Sequence, residues 1–314
     1  MIANIAIVVI PVIVGPTASG KSDLAIRLAL RYKAEIVNLD SIQVYRGLDL
    51  ATAKVPLRER HGVPHHLIDI AEPNDNFTAG DYARLASATL RDIECRGRMA
   101  IFAGGTGFYL RALVRPFFES PRTDLRLRAR LVALRDHHGP EHLHRLLTRV
   151  DRESAAGIEP RDWSRTMRAI EVYFQTGRRV SELRASTDEP PSFASRFRVI
   201  ILNPPRDELF SRINQRAEQM FDMGLIEEVE ALIASGVPMN AKAFQAHGYR
   251  RVIEYLKGER TREEALNQMK LDTRHYAKRQ LSWWRAWPDV KWIDRFGGAE
   301  EAFVEASIYL AGQG

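Results

Sequence analysis

Short apolar runs rich in β-branched residues alternate along the chain with longer segments whose apolar positions recur every three to four residues. The runs at 12–14, 35–39, 66–70, 99–103, 198–202 and 290–293 predict strands. Between them Tyr82, Leu85, Ala86, Thr89 and Ile93 fall on one helical face, as do Leu209, Ile213, Ala217 and Met220. Such alternation predicts an α/β fold, a mainly parallel sheet wrapped by helices. Pro11 has no N–H to give a ladder, so the first strand is expected to start there or just after. From about residue 116 to 197 the strand signal disappears, and the segment becomes rich in Arg and His and helical in pattern, closing on the turn-forming run at 188–192. The expected organisation is a first part of the core at 1–116, a helical insertion at 117–197 and a second part of the core at 198–314. A long helical connection within one domain is the alternative.

Gly15-Pro16-Thr17-Ala18-Ser19-Gly20-Lys21-Ser22 fits G-x-x-x-x-G-K-[ST], directly after the strand at 12–14 and directly before the helical segment at 23–32. Both contexts that the motif requires are present, which makes the core P-loop NTPase-like. Glycines let the backbone wrap so that its N–H groups and the helix N-terminus face an anion; Lys21 neutralises it and Ser22 supplies a hydroxyl for Mg²⁺. This nucleotide-binding or ATP-binding cradle serves a kinase, an NTPase or a diphosphate-releasing transferase equally well, so it identifies the group held and not the reaction.

The composition adds direction. Of 314 residues, 46 are Lys or Arg and 40 are Asp or Glu, a net charge of +6 that favours polyanionic partners. The single cysteine, Cys95, excludes an internal disulfide framework and any multi-cysteine zinc site, and suits a reducing cytosol. The one long apolar run, residues 5–14, contains Pro11 and is too short for a bilayer, so a cytoplasmic protein without a membrane partner is expected.

Asn38-Leu-Asp40-Ser-Ile-Gln43-Val-Tyr45-Arg-Gly47 follows the second strand and Gly104-Gly-Thr106-Gly-Phe-Tyr109 the fourth. Further blocks are Pro64-His-His-Leu-Ile-Asp69, Phe77-Thr-Ala-Gly-Asp-Tyr82, Arg165-Thr-Met-Arg168-Ala-Ile-Glu-Val-Tyr173, Arg212-Ile-Asn-Gln-Arg216, Gln245-Ala-His-Gly248-Tyr-Arg250 and Lys278-Arg-Gln-Leu-Ser-Trp-Trp-Arg285. In these blocks and their order the chain resembles the bacterial tRNA dimethylallyltransferases, the tRNA isopentenyltransferase family. The resemblance implies transfer of a dimethylallyl group from dimethylallyl diphosphate to N6 of the adenosine just 3′ of the anticodon, with release of diphosphate. It also implies a P-loop core with a helical insertion that grips the tRNA anticodon stem-loop, a Mg²⁺ requirement and a monomer.

Adenine N6 is a poor nucleophile because its lone pair is delocalised into the ring, and on attack it must lose a proton, which calls for a carboxylate as general base. Asp40, at the C-terminal end of a strand beside the phosphate loop, is the family's catalytic aspartate by resemblance. A Walker-B-like Mg²⁺ ligand or a helix cap is the bland alternative, and Asp69 is the weaker competitor as base. Lys21, the amides of residues 15–22, Mg²⁺ on Ser22 and Arg216 would disperse the charge of the departing diphosphate. Arg216 matches the family arginine on the diphosphate, whereas Arg212, one turn away, is read as a solvated face. Thr17 matches the family threonine beside the leaving oxygen, with a helix-entry hydroxyl as its plain alternative. No D-D-x-x-D stretch is present, which argues against isoprenoid chain elongation.

On the RNA side, residues 270–287 interleave Lys270, Arg274, Lys278, Arg279 and Arg285 with Tyr276, Trp283, Trp284 and Trp287, cations for phosphates and aromatics for stacking. Trp284 and Trp287 are spaced as core. By resemblance the flipped adenosine meets Asp40, Ser41, Ile42, Gln43 and Thr106, while tRNA contacts come from Arg128, Ser164, Arg165, Thr166, Met167, Arg168, Gln245, Gly248, Tyr249, Arg250, Lys278, Arg279, Gln280, Trp283 and Arg285. Gly104, Gly105 and Gly107 are open to a second reading, a tight strand-to-helix turn. Met167, Ile170 and Phe174 form the expected buried side of their helix. His137, His138, His142 and His144 read as a solvated helix rather than a metal site, lacking acidic or cysteine co-ligands. His247, where the family is usually aliphatic, and Trp163-Ser164 depart from the pattern. The competing functions are an adenylate isopentenyltransferase, a P-loop kinase, and an RNA-binding module that uses the phosphate loop only to recognise a terminal phosphate.

Overall fold

A computed structural model describes residues 9–115, 118, 121–186 and 189–312. The apolar run that opens the chain becomes β1 (Ile10–Val14), buried along its whole length. It starts one residue earlier than Pro11 allows at first sight, because Pro11 takes the second place, before the β1–β4 pairing begins at Val12. The other strands are β2 (Glu35–Asn38), β3 (His65–His66), β4 (Ala100–Ala103), β5 (Phe197–Leu202) and β6 (Val290–Ile293). They pair in parallel in the order β3-β2-β4-β1-β5-β6. The helices in chain order are α1 (Lys21–Tyr32), α2 (Ala79–Cys95), α3 (Gly107–Val114), α4 (Leu125–His138), α5 (Pro140–Val150), α6 (Arg152–Ala156), α7 (Trp163–Thr176) and α8 (Val180–Ala185), followed by α9 (Arg206–Asp222), α10 (Leu225–Ala234), α11 (His247–Leu256), α12 (Arg262–Arg285) and α13 (Glu300–Leu310). Capping boxes at Thr78/Asp81 and Thr261/Glu264 fix where α2 and α12 begin.

Strand alternation sends Val12 and Val14 to one face of the sheet and Ile13 to the other. The first face packs against α2, α3 and the helices from α9 to α12, with Tyr82, Leu110, Phe244 and Trp284 fully or almost fully buried in it. The second packs against α1 and α13 through Leu24, Leu28, Ala302 and Ala306. A sheet buried on both faces explains why its strands read as continuous apolar runs. Each fully buried aliphatic side chain contributes about 1.5–3 kcal/mol to this core.

The third strand is far shorter than the predicted 66–70, since only His65–His66 are extended. Leu67 and Asp69 adopt left-handed backbone angles, φ 60° and 56°, which end the ladder. The chain turns there to pair with the loop after β2, where Asp69 N–H donates to Gln43 O and Ile70 N–H to Val44 O.

The chain divides into two compact units: the stretch up to Val114 with everything from Ser192 onward, and Arg115–Pro191. The second unit holds α4 to α8 around Leu131, Leu143, Leu147, Met167, Ile170 and Val172. Phe174, expected on the buried side of α7, is instead 64% exposed. The expected boundary at 116/117, Asp188 of the closing turn and residues 5–8 of the opening run lie outside the described residues. Among the described residues no helix is long and apolar enough to cross a membrane.

At the end of the sheet away from the strand C-termini, Glu35 is buried and bonded to His66 Nε2 (2.7 Å) and to both terminal nitrogens of Arg96. The Arg96 guanidinium first, and then His66, hold its carboxyl below the usual range against the opposing cost of burial. A depressed carboxyl pKa stabilises the fold above the unfolded value and loses that contribution as pH falls through the folded one. Glu35→Gln is therefore expected to cost about 1–2 kcal/mol near neutral pH. In thermal unfolding from pH 7 to pH 4 the gap to the native chain should narrow; a constant gap would locate the effect in packing.

Candidate active site

Three loops leave the C-terminal ends of β1, β2 and β4, where parallel sheets assemble their sites. The first is the phosphate loop. Gly15 has φ 146°, and a Cβ there would lie 2.7 Å from Leu202 O, so only glycine lets the loop pass β5. Gly20 (φ 83°) caps α1 in the left-handed region, and Lys21 Nζ donates back to Pro16 O at 2.7 Å. Burial, despite the nearby Asp40 carboxylate, pushes the Lys21 ammonium down to about 8, and Arg216 adds to the shift.

In the loop after β2, Asn38 binds Asp40 through both main-chain groups and Leu67 O, at 3.0–3.1 Å. Asp40 Oδ1 accepts from Ile42 N (2.8 Å) and Gln43 N (3.3 Å), which fixes the carboxylate and commits one oxygen to the turn. Gln43 Nε2 donates to Thr52 O at 2.9 Å. Asp69, the competing carboxylate, takes Lys54 Nζ at 2.5 Å, and the same ammonium reaches Tyr45 O and Asp49. Asp69 is thus already neutralised by a lysine.

The loop after β4 contributes Thr106, whose Oγ1 accepts from Ser41 N (3.1 Å) and donates to Ser41 Oγ (3.3 Å). Over these loops lie α9 and α12. Arg212 and Arg216 both line the cleft from α9; the Arg212 guanidinium sits 4.3 Å over the Phe296 ring rather than on an open face. Burial first, then Arg212, lowers the Arg216 guanidinium from its ordinary value, while Asp23 and Asp40 pull it back. The cleft is a cavity of about 1410 Å³ that brings together Thr17, Lys21, Ser22, Asp40, Ser41, Ile42, Gln43, Arg216, Gln245 and Gly248. Cations stand on the phosphate-loop side and a fixed carboxylate faces them.

Several residues expected at an RNA surface are elsewhere. Gln280 is 6% exposed, accepting from Thr17 N at 2.8 Å and donating to Gly105 O at 3.0 Å. Trp283 packs on Gly107, where a Cβ would fall 2.0 Å from Nε1. Gly105 and Gly107 are thus required by close approach to α12, and Gly104 by the Leu39 backbone, 2.3 Å from where its Cβ would lie. Tyr249 is fully buried with its hydroxyl on Glu228 (2.6 Å), because the 3.6-residue repeat turns it inward when Arg250 faces out. Trp284 is buried and Trp287 packs beside it, as their spacing predicts. Lys278, Arg279 and Arg285 remain on exposed faces of α12.

In the helical unit Thr166 and Met167 are buried, again by helical periodicity, while Ser164 and Arg165 are exposed. Arg128 forms a two-pronged pair with the fully buried Glu171 (2.5 and 2.8 Å). Arg168 shares that carboxylate at 3.2 Å and donates to Pro121 O at 2.6 Å. Both arginines brace α7 in this structure. His138 stacks on His142 and meets His137 edge-on, and His144 Nε2 bonds Ala155 O and Ile158 O.

Residues 43–287 match the family described as IPP transferase. The chain belongs to the IPP transferase family. It is 47% identical to the tRNA dimethylallyltransferase of Solibacter usitatus over 92% of this chain and 94% of that one. It is 45% identical to tRNA dimethylallyltransferase 2 of Geotalea uraniireducens, over 90% and 91%. The crystal structure of the tRNA isopentenylpyrophosphate transferase of Bacillus halodurans superposes with a TM-score of 0.72 at 36% identity, covering 98% of this chain and 96% of that one. A structure of a eukaryotic dimethylallyltransferase acting on tRNA superposes at 0.82 with 25% identity, covering 97% and 80%.

The site also holds Lys54 and Lys242, which no motif marked, and gives Tyr276 a place in the cleft rather than on an RNA surface. Tyr276 lies beside the side chains of Thr106 and Gln280, and burial followed by the Asp40 charge raises its phenol. Lys54, with a side chain only 5% exposed, and Lys242, on Asn76 Oδ1 (2.8 Å) and Phe77 O (2.9 Å), pin the cleft walls. Tyr276, Gln280 and Trp283 recur at helical spacing on α12, a visible signal; which loops they meet is not local information.

Proposed function

We infer that this chain transfers a dimethylallyl group from dimethylallyl diphosphate to N6 of the adenosine adjacent to the anticodon in tRNA. The observation that carries this reading is that Asp40, Lys21 and Arg216 line one cleft, with the carboxylate near enough to act on both cations. Lys21, Arg216 and the loop amides hold the diphosphate; N6 attacks C1 of the dimethylallyl group as the C1–O bond breaks. The bonding pair leaves with the diphosphate, and the N6 proton passes to Asp40. Ser41, Gln43 and Thr106 receive the edge of the extruded base. The positions of Ser22 and Asp23 in the cleft suit Mg²⁺, which takes one or two protein oxygens and completes its shell with diphosphate and water. When bound, the metal would help neutralise the departing diphosphate. Arg165 of the helical unit and Lys278, Arg279 and Arg285 on α12 supply exposed cations for the anticodon stem-loop. We place this activity in the cytosol, in a monomer.

A kinase would carry the same loop and could use the carboxylate, but it has no use for a cationic, aromatic α12. An adenylate prenyltransferase would need neither that helix nor the helical unit. Mass spectrometry after incubation with dimethylallyl diphosphate and Mg²⁺ separates the three. A five-carbon gain on an anticodon stem-loop with adenosines at positions 36 and 37, and none on AMP, is expected. Gain on AMP alone, or on neither, would overturn the assignment.

A further inference from the structure

We propose that Gln280 is a positioning residue that clamps the diphosphate loop to the loop after β4, setting the distance between the reacting carbon and its acceptor. The proposal rests on the transfer reading above for its consequence in rate, though not for the clamp itself.

The side-chain amide is used at both ends. Its oxygen accepts the main-chain N–H of Thr17, inside the phosphate loop, at 2.8 Å; its NH₂ donates to Gly105 O at 3.0 Å. The two partners stand at the ends of β1 and β4, neighbouring strands of the sheet. A Cβ on Gly105 would lie 2.1 Å from Gln280 Nε2, so the loop is shaped to admit this one side chain. One turn earlier Tyr276 lies beside both Gln280 and Thr106, and Thr106 in turn holds Ser41. Hydrogen bonds from Gln280 to the phosphate loop and to Gly105, and from Thr106 to Ser41, with Tyr276 lying between Gln280 and Thr106, thus tie the phosphate loop through α12 to the residues beside Asp40. Only 6% exposed, Gln280 has its oxygen engaged by Thr17 and its NH₂ by Gly105, so it presents little of its amide to RNA. A group placed this way matters because a misplacement of about 1 Å between reacting centres can cost about 10²-fold in rate.

Gln280→Met keeps the length and removes both hydrogen bonds. Three quantities decide: inorganic pyrophosphate affinity by calorimetry, affinity for a stem-loop RNA, and kcat for transfer. Expected are a loss in pyrophosphate affinity of about 10-fold, a fall in kcat of about 10–100-fold, and RNA affinity within about twofold of native. A tenfold loss of RNA affinity with pyrophosphate binding intact would make Gln280 an RNA contact and overturn the clamp, as would no change in any of the three. Gln280→Glu guards against a variant that does not fold. It keeps the acceptor for Thr17 but sets a carboxylate against Gly105 O, and only its protonated form restores the donor. Its deficit in pyrophosphate affinity relative to native should shrink as pH falls from 8.5 to 6, while a deficit independent of pH would assign Gln280 to packing alone. Both binding measurements stand even where no prenyl transfer is found, so failure of the clamp and failure of the transfer reading are separable.

Discussion

Asp40→Ala is expected to lower kcat for prenyl transfer by about 10²–10⁴-fold, the range of a lost general base, while leaving affinity for both substrates within a few fold. The geometry gives this substitution a sharper companion. Asp40 Oδ1 is spent on the amides of Ile42 and Gln43, so one oxygen shapes the turn and the other is available to the acceptor. Asp40→Asn keeps an oxygen for those amides and forfeits the proton acceptor. If the carboxylate takes the N6 proton, Asn and Ala should be equally slow in single-turnover measurement. A fast Asn variant would reduce Asp40 to an element of the turn. Asp69→Asn supplies the control: its carboxylate is already engaged by Lys54, and its removal should cost under about tenfold in rate. A larger loss from Asp69 than from Asp40 would exchange their roles.

The parts of this molecule readable from the chain are those whose causes are local. The glycine pattern, Lys21 and the adjoining strand and helix occupy one continuous stretch, and they define the phosphate loop without any tertiary information. The third strand failed as a prediction because its apolar residues follow a rule of hydrophobicity while Leu67 and Asp69 obey a contact, the return to residues 43 and 44. Motif blocks misled in a similar way. A helical block expected to meet RNA still buries part of each turn, so Thr166 and Tyr249 belong to the core, as Met167 does by its spacing, while Arg165 and Arg250 face outward. Gln280 is the extreme case, since its partner Thr17 lies 263 positions away and nothing in either neighbourhood announces the pairing.

Lys21→Met should weaken pyrophosphate binding by about 10–100-fold, the worth of one charge-assisted hydrogen bond, and slow transfer further as leaving-group charge develops. Its pH dependence tests the cause. Burial disfavours the ammonium and brings Lys21 down to about 8, so the cation is present below that pH and is lost above it. Native kcat/KM for the diphosphate should therefore decline as pH rises through about 8, and this limb should be absent from Lys21→Met. A bound diphosphate stabilises the ammonium and moves the limb upward, so it belongs in kcat/KM and should recede in kcat. Affinity for the stem-loop RNA should be unaltered, because Lys21 lies in the diphosphate end of the cleft and bonds its own loop through Pro16 O. A limb that persists in Lys21→Met would have to come from another group.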